Sequence, residues 1–195
     1  MTAEEFEDAK SLWKFFYAHE CFKQVENACS FMLNSAMDEK HPAYYPLVTA
    51  IYVLYGKPFK RSNIVGKLPR DIVPAEFREL HSVIMDHRDQ IYAHTDAESF
   101  DLSDRGAANQ VRVFVSRKEA RLFGTQFFAR PPVLSEVIKL CREMQEKANY
   151  HLRKLQKRYR RKLPKQLGEY AINVLDPTGP FFLKQTPMLS TTGST

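Results

Sequence analysis

Hydrophobic residues recur at three- and four-residue steps along the first part of the chain, over positions 6–36. Thr2 and Glu5 precede this stripe with the Thr-x-x-Glu spacing of a capping box, in which each side chain accepts a hydrogen bond from the other residue's backbone N–H. The pattern predicts a long first helix of about eight turns. Trp13 and Phe16 lie on the stripe, and we expect Trp13 to pack in the core.

Four further elements follow from the patterning. An apolar segment over 44–55, ending at Gly56, predicts a second helix, and Pro74 opens a third that ends near His94. Over 111–115, β-branched residues occupy every second position, which is the spacing of a strand. A partner strand is predicted over 121–128, so the two indicate a β-hairpin. A final long helix is predicted over 133–159, where apolar residues again recur at helical spacing.

These elements predict an all-α protein, a helical bundle with long outer helices and a small β-hairpin inserted near 109–128. The bundle spans 1–175. From 176 to 195 the chain is rich in Pro, Gly, Ser and Thr, and we expect this stretch to be a flexible C-terminal tail.

Composition narrows the class of protein. The 195 residues are 44% hydrophobic and 27% charged, which is typical of one soluble globular domain. The longest apolar stretch, 44–55, is too short to span a bilayer, and the acidic N-terminus lacks the apolar run of a secretory signal. The three cysteines have no Cys-x-x-Cys spacing, which argues against a disulfide framework or zinc ribbon. We therefore expect reduced thiols and a cytoplasmic protein without a membrane partner.

Positive charge is concentrated near the end of the last helix. The chain has 29 Lys and Arg against 23 Asp and Glu, and eight of the cations fall within 153–165 without an intervening acid. Without these eight, 21 cations remain against 23 acids, so the basicity is local. A local excess of cations predicts a polyanion or an acidic partner. The alternative is that the cations complement the helix dipole and solubilise the chain.

Arg88 breaks the apolar pattern of the third helix. It lies on the same face as Phe77, Leu80 and Ile84, and a buried guanidinium without a partner costs several kcal/mol. Its charge therefore requires an acid such as Asp89 or Asp86, a subunit interface, or an anionic ligand. The structural interpretation is a buried Arg–Asp pair that joins helices.

The polar residues around Arg88 are of types that serve two kinds of chemistry, metal binding and acid–base catalysis. A metal site is disfavoured, because His87 and His94 are seven residues apart and helical ligands need steps of three or four. Acid–base chemistry on RNA needs only a histidine, a cation on the phosphate and the 2′-OH of the substrate. On an ideal helix Arg88 and His94 lie about 9 Å apart along the axis and about 120° apart around it. They converge if the helix frays at His94 or if a second copy supplies the other residue.

The segment from Arg88 to His94 resembles the signature of the HEPN superfamily: an arginine, a polar residue, a few further residues and a histidine. The form Arg-Asp-x-x-x-Ala-His-x-Asp, which ends here at Asp96, is similar to uncharacterised bacterial branches, including proteins of abortive infection. The resemblance covers roughly 2–93 and the last helix. It implies that 1–175 is an HEPN-like helical domain.

The resemblance also implies a function. Many HEPN proteins are metal-independent endoribonucleases that act as homodimers without a cofactor and leave 2′,3′-cyclic phosphate ends. In this chain Arg88 would stabilise the scissile phosphate, His94 would act as general acid and base, and Asp89 would orient the motif. Typical contexts are toxin–antitoxin modules and phage defence, with an antitoxin or defence partner. Asp96 stands where toxins silenced by adenylylation have tyrosine, so we do not expect that mode of silencing.

Three hypotheses follow. The first is an endoribonuclease whose basic helix end holds the RNA backbone, and the second is a non-catalytic HEPN module that binds RNA or a protein. The third is an adaptor that docks an acidic protein. Only one aromatic residue, Tyr159, lies among the cations of 153–165, so the endoribonuclease hypothesis predicts no base-stacking surface there. The predicted RNA-binding residues are Arg153, Lys154, Lys157, Arg158, Arg160, Arg161 and Lys162.

Overall fold

The structure is a computed structural model that describes residues 1–89, 111–116, 119–124 and 133–185. In these ranges the chain is mostly helical, with two small antiparallel hairpins. The helices are α1 (Ala3–Asn34), α2 (Tyr44–Gly56), α3 (Arg78–His87) and α4 (Leu134–Tyr159). The strands are β1 (Val111–Val115), β2 (Ala120–Gly124), β3 (Tyr170–Ile172) and β4 (Phe182–Lys184). The predicted all-α class with a small β-hairpin is therefore confirmed.

The start of α1 has the predicted capping box. The Thr2 hydroxyl oxygen accepts a hydrogen bond from the backbone N–H of Glu5 at 3.2 Å, and the Glu5 carboxylate accepts one from the backbone N–H of Thr2 at 2.7 Å. Both bonds satisfy donors that have no partner inside the helix. The capping box thereby fixes where the first helix begins.

The core lies between the two long helices, α1 and α4, and the shorter α2 and α3 that pack beside them. From α2, Val48, Ile51, Tyr52 and Tyr55 are fully buried, and Ile84 is the fully buried residue of α3. Burial of this apolar surface is the main favourable contribution to folding. The core therefore holds α3, and with it Arg88, against the end of α2.

Two aromatic residues of α1 lie outside this core. Trp13 is 41% exposed and Phe16 is 60% exposed, whereas Leu12 and Phe15 occupy the buried positions. The expectation that Trp13 packs in the core was wrong. The helix carries apolar side chains on more than one face, and the spacing alone does not show which of these faces α4 and α2 cover.

Both hairpins are short. β1 pairs with β2 in the predicted region, with Val113 opposite Leu122. β3 pairs with β4, and Phe181, just before β4, stacks on Tyr159 of α4 with 4.4 Å between ring centres. The stretch 176–185, expected to begin a flexible tail, is instead folded onto the end of α4, because Phe181 gains a buried aromatic partner. Residues 186–195 lie outside the described ranges.

The third helix begins close to the predicted position. Pro74 precedes a 3₁₀ turn over Ala75–Phe77, and α3 follows directly and continues as a wider turn through Asp89. The predicted end near His94 lies outside the described ranges. None of the helices that the structure describes is both long and apolar enough to cross a membrane.

Candidate functional site

Arg88 lies just beyond α3, one turn after the buried Ile84, and its side chain is only 18% exposed. Its aliphatic portion crosses the end of α2 at Gly56. A Cβ placed on Gly56 would lie 3.0 Å from Cγ of Arg88 and 3.1 Å from Cδ, closer than ordinary van der Waals contact. The absence of a side chain at Gly56 therefore creates the space in which Arg88 lies.

Asp89 holds the guanidinium in place. Nη1 of Arg88 donates to Oδ1 of Asp89 at 2.7 Å, and Nζ of Lys60 donates to Oδ2 at 2.5 Å. Burial raises the pKa of the Asp89 carboxyl, but the hydrogen bonds and charges of Lys60 and Arg88 outweigh burial, so the pKa lies below its ordinary value. Two cations thus share one carboxylate, which leaves the cluster with a net positive charge.

This cluster contains the Arg–Asp pair of the structural interpretation, but the pair is only half-buried and does not itself join helices, since Asp89 directly follows Arg88. The acid is Asp89 rather than Asp86, and the link between elements comes from Lys60, which lies in the loop after α2. Several Lys and Arg residues lie near Lys60 in the sequence over 57–70, but the pairing of Lys60 with Asp89 depends on tertiary structure. Asp89 and Lys60 are each more than a third exposed, so solvent screens these ion pairs, whereas the Arg88 side chain is largely buried.

Two buried polar atoms at the end of α3 have no hydrogen-bond partner among the described residues: Nε of Arg88 and Nδ1 of His87. The His87 ring lies edge-on to Tyr52, with 5.6 Å between ring centres. Buried polar atoms in folded proteins are nearly always hydrogen-bonded. We therefore expect a partner for Arg88 Nε from outside the described ranges, from a second copy of the chain or from a ligand.

A cleft of about 690 Å³ opens beside Asp89, between α3 and the loop that joins α2 to it. Its walls carry five cations and three acids, one of which is the doubly paired Asp89. The cations are Lys60, Arg61, Lys67, Arg70 and Arg78, and the other acids are Asp71 and Asp86. This excess of positive charge attracts anions.

His81 lines the same cleft. Its Nδ1 is 2.9 Å from the Tyr55 hydroxyl, and its ring lies edge-on to Phe59. Burial and the charge of Arg70 lower the pKa of His81, against the opposing effect of Asp86. His81 is thus a hydrogen-bonded part of the cleft wall, and its lowered pKa favours the uncharged ring at neutral pH.

Of the predicted catalytic residues, the structure brings Arg88 and Asp89 together. His94 lies outside the described ranges, so its distance from Arg88 stays a prediction. Within those ranges no group of three His, Cys, Asp or Glu side chains is placed to bind a metal ion.

The predicted RNA-binding residues divide into two groups. Arg158 donates to Glu4 and Asp8 at 3.1 and 2.5 Å, and Lys162 pairs with Glu5, so these two cations clamp α4 to the start of α1. The remaining five are exposed and form no ion pair with described residues: Arg153, Lys154, Lys157, Arg160 and Arg161. Acids more than 140 residues away in the chain therefore neutralise part of the basic segment, which its local sequence does not reveal.

Comparison with models of protein families, with curated proteins and with solved structures found no match to this chain. The resemblance of Arg88–His94 to the HEPN signature therefore stays a prediction.

Proposed function

We propose that this chain is a metal-independent endoribonuclease with a composite site between two copies of the chain. The observation that carries the proposal is the position of Arg88. Its aliphatic portion lies against Gly56, its guanidinium pairs with Asp89, which borders the cationic cleft, and its Nε has no partner among the described residues. An immobilised guanidinium stabilises the charge that builds up on a phosphate during transfer.

The chemistry uses groups of the protein and of the RNA alone. His94 accepts the proton of the 2′-OH, the 2′ oxygen attacks phosphorus, and the bond to the 5′ oxygen breaks. His94 of the other copy donates a proton to the departing 5′ oxygen. Arg88 binds the phosphate, Asp89 fixes the guanidinium, and the products are a 2′,3′-cyclic phosphate and a 5′-OH. No metal or cofactor is required.

A second copy is the simplest way to bring Arg88 and His94 together. A helix that continued to His94 would direct it about 120° away from Arg88. A symmetric dimer brings the arginine of one copy to the histidine of the other. We expect such an enzyme to act in the cytoplasm within a toxin–antitoxin or antiviral defence system, with a cognate antitoxin or defence partner.

A second candidate function is a non-catalytic module that binds RNA or a protein. The pairing of Arg88 with Asp89 favours this function, because the pair already neutralises part of the guanidinium charge and uses one of its hydrogen-bond donors within one chain. In this case Arg88 would serve the interface between copies.

The test is cleavage of end-labelled RNA in EDTA by the unmodified protein and by Arg88→Ala and His94→Ala. Arg142→Ala is the matched control, since Arg142 is 64% exposed on α4 and pairs with Glu26 rather than with Asp89. We expect cleavage that survives EDTA, leaves cyclic phosphate ends and disappears in both variants but not in the control. His81→Asn keeps a nitrogen near the Tyr55 hydroxyl and serves as a second histidine variant.

Three outcomes would contradict the nuclease proposal. Cleavage abolished by EDTA would exclude the metal-independent reaction. Loss of cleavage in His81→Asn but not in His94→Ala would show that His81, and not His94, transfers the proton. No cleavage by a folded dimer over several RNAs, with loss of the dimer in Arg88→Ala, would support the binding module.

A further inference from the structure

A second concave surface lies between α1, α4 and the β3–β4 hairpin, apart from the cleft beside Asp89. This groove has a volume of about 790 Å³. Its wall on α1 includes Trp13 and Phe16, two large aromatic side chains that the core does not cover, and Tyr170 and Phe182 add rings from the β3–β4 hairpin. The groove is therefore aromatic and open to solvent.

The same groove has a cationic rim. Arg153, Lys157 and Arg160 border it from α4 and the turn that follows, and no acid is found among the described residues that line it. The acids at the start of α1 offset these charges only in part, because Lys162 pairs with Glu5 and Arg158 is shared between Glu4 and Asp8. An anionic occupant with flat apolar groups fits this combination.

We propose that this groove binds single-stranded RNA, with bases stacked on Trp13 and Phe16 and phosphates bound by Arg153, Lys157 and Arg160. Aromatic side chains interleaved with cations are what proteins use to bind single strands without sequence specificity. The sequence showed only Tyr159 among the cations, so no stacking surface was expected there. Tertiary packing supplies it from α1. The proposal rests on the proposed function in taking RNA as the ligand.

The groove continues toward the cleft beside Asp89. Trp13 also borders a depression of about 220 Å³, and Lys60 and Arg61 border both this depression and the cleft. Cationic side chains thus follow one path from the end of α4, past Trp13, to Asp89. A flexible strand with one charge per nucleotide can follow such a path, and this continuity favours RNA over an acidic protein segment.

Trp13 allows a direct test, because it is the only tryptophan in the chain. The probe is a 2′-O-methyl oligouridine of about 12 nucleotides, which lies within the usual range of single-strand site sizes. Its blocked 2′ oxygen cannot attack the phosphate. We expect the oligonucleotide to quench Trp13 fluorescence. Three phosphate contacts predict a slope of about −2 for the logarithm of the binding constant against the logarithm of salt concentration.

Phe16→Ala tests stacking without removing the fluorophore. The loss of one stacked base predicts binding weaker by roughly 5- to 100-fold. Phe31→Ala is the matched control, since Phe31 is 55% exposed on the same helix and does not line the groove. Phe16→Tyr preserves the ring and should keep the affinity. All these side chains are exposed, so the variants should fold.

Lys157→Ala tests the phosphate contacts. We expect the salt slope to become shallower by about 0.7 for each lost contact. Arg142→Ala, which removes an exposed cation elsewhere on α4, should leave the slope unchanged.

Equal affinity of Phe16→Ala and Phe31→Ala, or no quenching by the oligonucleotide at low salt, would overturn the proposal. Quenching by an acidic amphipathic peptide alone would assign the groove to a protein partner instead. Failure of the nuclease proposal gives a different result: an inactive protein, or Arg88→Ala, would still show Phe16-dependent quenching. An active nuclease without quenching would overturn the proposal that the groove binds RNA and would support the nuclease proposal.

Discussion

A single methyl group at Gly56 should test how Arg88 is positioned. The backbone of Gly56 is helical, with φ −75° and ψ −24°, so alanine fits without backbone strain. Alanine is favoured over glycine in a helix by roughly 0.5–1 kcal/mol. The added Cβ, however, would lie 3.0 Å from Arg88 Cγ, and overpacking of this kind costs about 1–3 kcal/mol. We expect Gly56→Ala to destabilise the protein by about 1 kcal/mol.

The sign of this effect should reverse when Arg88 is removed. In an Arg88→Ala background the overlap with Cγ and Cδ disappears, and Gly56→Ala should then stabilise by roughly 0.5–1 kcal/mol. Urea unfolding of the four proteins gives the coupling free energy, which we expect to be about 1–3 kcal/mol. If Gly56→Ala has the same effect in both backgrounds, Arg88 does not lie across Gly56 and the reasoning about the site is wrong.

Three further predictions concern ionisation and burial. The lowered pKa of Asp89 means that its pairing stabilises the fold above the unfolded pKa of 3.8 and that this contribution is lost as the pH falls through the folded value. Exposure limits the contribution to less than about 1 kcal/mol, and Asp89→Asn should flatten the dependence of unfolding free energy on pH in acid. Burial raises the pKa of Cys29 to about 12, so a thiol reagent should label this cysteine only on unfolding. Fast labelling of Cys29 in the folded protein would contradict its burial. Tyr55→Phe should destabilise the protein by about 1–2 kcal/mol, because it leaves His81 Nδ1 without its hydrogen-bond partner. Thermal or urea unfolding measures this change. An unchanged stability would show that the hydrogen bond contributes nothing to it.

Local patterns predicted the helices and the first hairpin well. The capping box at Thr2, the end of α2 at Gly56 and the period-two strand at Val111–Val115 are encoded by neighbouring residues, and the structure has each of them. The pairing of Arg88 with Asp89 is one of the alternatives that the sequence leaves open, since the two residues are adjacent.

Long-range features of the site did not follow from local patterns. Lys60 reaches Asp89 from another element, and Trp13 belongs to a helix with more than one apolar face. The pairing of Arg158 with Asp8 likewise joins opposite ends of the chain. Each depends on which surfaces meet in three dimensions, and a helical period in one segment carries no information about its partner.

The packing of α1 against α4 has a consequence for synthesis of the chain. Arg158 and Glu4 are 154 positions apart, so α1 emerges from the ribosome long before the helix that covers it. Until α4 follows, the buried face of α1, with Phe15, Phe22 and Val25, has no α4 to pack against. The native core is therefore completed late and through contacts of high sequence separation, which slows folding and exposes the nascent chain to aggregation. A polypeptide that stops before α4 would leave the α4-facing side of this core uncovered and would be a substrate for chaperones and proteases.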